Sequence, residues 1–231
     1  MLVLFDIDAT LLTTTRAGIH AMGDAGRDLI GPDFDEHSVE YAGRLDPLII
    51  HDLLAAHGQD TSAPSVDRFR AAYGEQLARR LQTPGIAAPC PGVAELLDAL
   101  SGRDLALGLL TGNFPETGEL KLKASGIDPE QFIIHAWGSD SPHTPPARDH
   151  LPPVAIERFA ARFGHPVDPA DVTIIGDTVH DVACARAHGC RALAVATGTY
   201  DAQTLRSSGA DRVVPDLSDT EDVLQWILSP N

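Results

Sequence analysis

The sequence predicts an α/β protein: an open parallel sheet with helices on both faces, interrupted by an inserted helical segment. Three observations carry that prediction. The runs Leu2-Val3-Leu4-Phe5, Leu105–Leu110 and Val172–Ile175 are short, apolar throughout, and end in polar residues. Strands apolar on both sides suit a parallel sheet covered by helices on both faces. Helical stretches separate these runs, and alternation of strand and helix is the pattern of an open α/β sheet. From about residue 14 to 88, however, helical patterns follow one another with no convincing strand between them.

In chain order, Leu2–Phe5 is the first strand, and Gly18–Ile30 is the first helix of the insert. Pro47–His57 follows as a helix with Asp46 as its expected N-cap and Pro47 at the first helical position, where the missing N–H costs nothing. Val66–Leu81 completes the insert, and Thr83–Gly92, dense in Pro and Gly, reads as a linker. Helices are then expected at Val93–Leu100, Glu116–Ser125, Pro152–Arg162, Val179–His188 and from Asp201, with a further apolar run at Ala192–Ala196. Ser141–Pro153 is a Pro-rich loop leading from Phe132–Trp137 into the next helix. The expected division is a core of residues 1–13 and 89–231 and an insert of 14–88.

Composition narrows the partners. The 231 residues hold 33 acidic and 17 basic side chains, for a net charge of −16, and the only lysines are Lys121 and Lys123. Such a chain lacks the basic surface that nucleic acid or an anionic membrane requires. Cys90, Cys184 and Cys190 show no CxxC spacing, which argues against a disulfide framework or structural zinc and for a reducing compartment, the cytoplasm. No stretch approaches the ~18 apolar residues of a membrane helix, and the N-terminus has no basic leader region.

The chemistry-bearing residues fall at the strand ends, where open α/β sheets bind ligands. Asp6 and Asp8 place two carboxylates at the end of the first strand, and their repulsion calls for a proton or a cation. Thr111-Gly112-Asn113 offers a hydroxyl and exposed amides suited to phosphate oxygens. Asp177 and Asp181 add two carboxylates at an i, i+4 spacing. A turn or a helix cap would account for each cluster alone; their conjunction at one sheet edge points to a site.

These residues resemble the haloacid dehalogenase-like hydrolase superfamily. Asp6-Ile-Asp8-Ala-Thr10-Leu11 looks like its first motif, Leu110-Thr111-Gly112-Asn113 like its second, and Gly176-Asp177-Thr178-x-x-Asp181 like its fourth. Ala42-Gly43-Arg44-x-Asp46-Pro47 and Ala196-Thr197-Gly198 are similar to phosphoglycolate phosphatase-like members. The resemblance implies a Rossmann-like core with an inserted helical cap and a Mg²⁺-dependent phosphatase acting on a small phosphorylated metabolite. It implies Asp6 as nucleophile and Asp8 as general acid and base. It further implies Mg²⁺ held by Asp6, the Asp8 carbonyl and Asp177; phosphoryl binding by Thr111, Gly112 and Asn113; and an orienting role for Asp181. Arg44 would reach an anionic substrate tail. The second aspartate favours phosphoryl transfer over dehalogenation, since expelling an alkoxide needs a proton and expelling halide does not.

The sequence departs from the family at the third motif, where a lysine is expected. No lysine follows Lys123, so Arg148 is the candidate, while Lys121 and Lys123 are expected a turn or two below the strand-end edge. Ala9 stands where relatives carry Gly and would be strained if the position requires φ > 0. Two alternatives share the site: a phosphomutase of the β-phosphoglucomutase type, and a catalytically decayed binding protein. Four retained aspartates argue against decay. Substrate identity and oligomeric state have no signature in the chain.

Overall fold

A computed structural model of the chain describes residues 1–229. Six strands form one parallel sheet: β1 (Leu2–Phe5), β4 (Ala106–Leu110), β5 (Ile134–Ala136), β6 (Val172–Gly176), β7 (Arg191–Val195) and β8 (Arg212–Val214). Their spatial order is β5-β4-β1-β6-β7-β8, with Leu2 of β1 level with Ala106 on one side and Val172 on the other. The order reverses at β1, so the crevice at the carboxyl end of β1, between β4 and β6, is the topological switch point.

Period-two alternation explains the two apolar layers. Val3 and Phe5 pack on one face of the sheet, against α4 (Val93–Leu100) and α9 (Thr220–Leu228) through Val93, Leu96, Val223 and Ile227. Leu2 and Leu4 point to the other face, against α6 (Leu151–Phe163) and α7 (Val179–Ala187) through Leu151, Ala155, Phe159 and Val182. All four β1 side chains are fully buried, as strands covered on both faces must be. The helix α5 (Pro115–Ala124) follows β4, and α8 (Ala202–Ser207) lies between β7 and β8.

A third apolar cluster is built by α1 (Ala17–Leu29), α2 (Asp46–Ala56) and α3 (Ala63–Arg80), through Ala21, Ile50, Leu53, Phe69, Tyr73 and Leu77. Phe114, at the start of α5, is the core residue that joins it. The chain enters this helical segment through β2 (Leu12–Thr13) and returns through β3 (Ala88–Pro89), which pair antiparallel. This short pairing lies partly inside the stretch read as linker; two residues are too few to show a period. The start of α2 also differs from expectation. Leu45 is the N-cap and Asp46 is already helical, because its amide donates to the Gly112 carbonyl (2.8 Å) and its carboxylate accepts from the Phe114 amide. Asp46 therefore faces the core loop rather than its own helix.

Candidate active site

The three strand-end clusters meet at the switch point, in a cleft of about 890 Å³ that also borders α1–α3. Asp6 leaves β1 with its amide donating to the Ile175 carbonyl of β6 (2.9 Å). Carboxylate oxygens of Asp6, Asp177 and Asp181 all lie within 4.8 Å of one another, and all three residues are buried. Burial pushes the Asp6 carboxyl up to about 6, with Asp181 and Asp8 adding repulsion and Arg148 opposing it. Burial likewise raises Asp177 to about 8, reinforced by Asp6 and Asp181. Proximity without neutralisation is costly for carboxylates, so the cluster requires positive charge.

Part of that charge comes from Arg148, in the 3₁₀ turn Arg148–His150 that leads into α6. Its Nη2 lies 2.5 Å from Asp181 Oδ1 and 3.1 Å from Asp6 Oδ1, and Nη1 donates weakly to the Gly43 carbonyl (3.4 Å). Burial opposes the guanidinium charge, but Asp181 and Asp6 outweigh it and hold Arg148 above the ordinary arginine range. Its Nε is buried without a hydrogen-bond partner. The Cys184 thiol donates to the Arg148 carbonyl (3.2 Å) and so anchors the turn.

Asp181 has both oxygens engaged. Oδ1 takes Arg148, while Oδ2 accepts from the Thr178 hydroxyl (2.7 Å) and amide (3.1 Å) in a capping box that starts α7. Asp6 and Asp177 are thus the carboxylates with capacity for a metal, and an all-oxygen set of this kind fits a hard divalent cation such as Mg²⁺. Asp177 Oδ1 accepts from the Thr10 hydroxyl (3.3 Å), and Gly198 is needed beside it because a Cβ there would collide with Asp177 Oδ2.

Asp8 turns toward the loop after β4. Its Oδ2 accepts from Asn113 Nδ2 (2.8 Å) and Lys121 Nζ (2.6 Å). Asn113 Nδ2 also donates to the Thr111 hydroxyl (2.9 Å), so the loop after β4 is tied directly to the turn after β1. Gly112 has a steric reason beyond ligand approach: a Cβ there would strike the Arg44 carbonyl, and one on Gly138 would strike Gly112. Ala9 has φ 58°, so the strain anticipated for a non-glycine residue is present, and the Thr197 hydroxyl holds its carbonyl.

Two sequence expectations change. Lys121 does not lie away from the site: it is 4% exposed, and its side chain climbs from α5 to Asp8 and to Asn113 Oδ1 (2.6 Å). Burial alone would depress its ammonium, yet Asp8 and Asp46 hold it above the ordinary lysine value. The available signal was helical: Lys121 shares the buried face of α5 with Thr117, Gly118 and Leu122, whereas Lys123 is exposed beside Glu119 (3.2 Å). Arg44 borders the cleft, but its guanidinium is held by Asp52 (2.6 Å) within the helical segment. Sequence reasoning also missed Asp46 as a cleft residue. Burial raises it to about 7, with Lys121 opposing, and its Oδ2 is buried without a partner.

Comparison with known proteins agrees with this architecture. Residues 151–220 match the family described as HAD-hydrolase-like. The probable phosphatase IndB of Dickeya dadantii is 28% identical, covering 94% of this chain and 90% of that protein. A phosphoglycolate phosphatase of Thiobacillus denitrificans is 26% identical over 94% of this chain and 92% of its own length. Among solved structures, a mutant of CbbY from Rhodobacter sphaeroides in complex with xylulose-(1,5)bisphosphate superposes with a TM-score of 0.75 at 19% identity, over 94% of this chain and 95% of that one. These relatives, that fold and the strand-end motifs together make the chain similar to haloacid dehalogenase-like hydrolases, phosphoglycolate phosphatases among them.

Proposed function

We propose that this phosphoric monoester hydrolase acts on a small phosphorylated metabolite, with Asp6 as nucleophile and Asp8 as proton donor and acceptor. The observation that carries the reading is the pair Asp6 and Asp8 at the switch point, one beside Arg148 and the acidic cluster, the other beside Asn113 and Lys121. An Asp6 oxygen attacks phosphorus as the ester P–O bond breaks, and Asp8 gives its proton to the departing alcohol oxygen. Asp8 then takes a proton from the water that attacks phosphorus, which releases phosphate and restores Asp6. Thr111, Gly112 and Asn113 bind phosphoryl oxygens, and Arg148 offsets charge on them while orienting Asp6 through its bond to Asp181.

Asp6, Asp177 and the Asp8 carbonyl are the groups that would hold Mg²⁺, which supplies Lewis-acid charge and a template for the phosphoryl group. The division into a core of residues 1–13 and 89–231 and a cap of 14–88 is supported by the separate apolar cluster of α1–α3 and by the cleft between it and the sheet edge. Closure of such a cap would exclude bulk water. Cys90, Cys184 and Cys190 are buried free thiols, which suits a cytoplasmic setting. Among the described residues no helix is long and apolar enough to cross a membrane. Phosphate release from p-nitrophenyl phosphate tests the reading: it should require Mg²⁺ and vanish both with EDTA and in Asp6→Asn. Release that survives both treatments overturns it.

A further inference from the structure

Arg148 accounts for one of the two buried cations at this site; the function outlined above leaves Lys121 without a task. Its surroundings are specific. Nζ donates to Asp8 Oδ2 (2.6 Å) and to Asn113 Oδ1 (2.6 Å), while Asn113 Nδ2 donates to the same Asp8 oxygen (2.8 Å). The three side chains close a triangle in which Asp8 Oδ2 receives two donors. Among the described residues, Asp8 Oδ1 accepts no hydrogen bond. Gly18 of α1 roofs the ammonium, since a Cβ at that position would sit 3.5 Å from Nζ and 3.4 Å from Tyr73 Oη. Lys121 is thus clamped between the core and the helical segment, and its four-carbon stem delivers a charge that no backbone group of α5 could bring to Asp8.

We propose that Lys121 is a positioning residue for proton transfer by Asp8: with Asn113 it pins Oδ2, fixing the carboxyl rotamer and leaving Oδ1 as the atom that exchanges the proton. This rests on the assignment of Asp8 as proton donor. In the first half-reaction the ester P–O bond breaks, the proton moves from Asp8 Oδ1 to the alcohol oxygen, and Asp8 becomes a carboxylate whose other oxygen already touches the ammonium. In the second half-reaction the proton returns to Oδ1 from the attacking water. A bulk role in packing or charge balance would not distinguish one leaving group from another. A positioning role must, because a good leaving group departs without a proton and a poor one does not.

The test compares p-nitrophenyl phosphate with phenyl phosphate, similar in size and different in leaving-group basicity. With Mg²⁺ present, Lys121→Met should lower kcat/KM on phenyl phosphate at least about tenfold more than on p-nitrophenyl phosphate, because kcat/KM reports the step that expels the alcohol and not the hydrolysis that both esters share. Circular dichroism and thermal unfolding establish that the variant is folded; should Lys121→Met fail to fold, Lys121→Gln carries the same comparison. Equal losses on the two esters, or no loss, overturn the assignment while leaving the phosphatase reading intact. Wild-type protein that releases phosphate from neither ester, or Asp6→Asn that still does, overturns the reading itself and Lys121's role with it.

Discussion

Replacement of Arg148 by methionine isolates the electrostatic balance of the site. Methionine fills much of the same volume without charge, so the variant leaves Asp6, Asp177 and Asp181 within 4.8 Å of one another and facing no guanidinium. Removing one partner from a buried, hydrogen-bonded ion pair costs about 3–5 kcal/mol, because the charges left behind stay desolvated. Each kcal/mol shifts Tm by about 2–4 °C in a domain of this size, so the expected drop in EDTA is about 6–20 °C. The assay is thermal unfolding followed by far-ultraviolet circular dichroism at pH 8, first in EDTA and then with excess Mg²⁺. The cation should raise the variant more than the wild type, since it finds three carboxylates without a counter-charge. A variant in EDTA within about 2 °C of wild type would refute the reasoning, because protons rather than Arg148 would then be neutralising the cluster.

Two further predictions follow from backbone strain and from a buried carboxyl. Ala9→Gly relieves a left-handed conformation at φ 58° and should stabilise the protein by about 1 kcal/mol in urea unfolding, with unchanged phosphate release; no gain in the midpoint would show that the position carries no strain. Burial pushes the Asp46 carboxyl up to about 7, above the ordinary aspartate range, so the native state holds its proton more tightly than the unfolded chain and stability falls as pH rises from about 4 to about 7. Asp46→Asn should therefore add a few kcal/mol of stability at pH 8 and almost nothing at pH 4, in EDTA; a constant difference across that range would contradict the burial argument.

The residues explain how far sequence reasoning reached. Strands β1, β4 and β6 were legible because burial on both faces leaves unbroken apolar runs, and the polar residues ending them mark the sheet edge where Asp6, Thr111 and Asp177 meet. Strands β2, β3 and β8 were not, being two or three residues long and set by neighbours rather than by their own pattern. Arg148 was reached by elimination, a consequence of a chain with two lysines, and the structure puts its guanidinium on Asp6 and Asp181. Lys121 was misjudged because distance was counted along the helix axis, at about 1.5 Å per residue. A lysine stem spans more than a helical turn, and the buried face of α5 was the better guide. Asp46 was assigned to its own helix because local rules favour an N-cap aspartate; a partner some seventy positions away, the Phe114 amide, took its carboxylate instead.

The pairing of β2 with β3 has a consequence for how this architecture diversifies. Leu12 sits opposite Pro89 and Thr13 opposite Ala88, so the long helical excursion begins and ends at the same place. A detour closed at its own base transmits no change of length to the parallel sheet, whose register is set elsewhere, between β1, β4 and β6. The excursion can be lengthened, shortened or exchanged while Asp6, Thr111 and Asp177 keep their mutual geometry. Only its points of contact with the catalytic floor, Gly18, Gly43 and Arg44 among them, must be refitted. The helical segment and the sheet edge are thereby free to evolve on separate timescales within one chain.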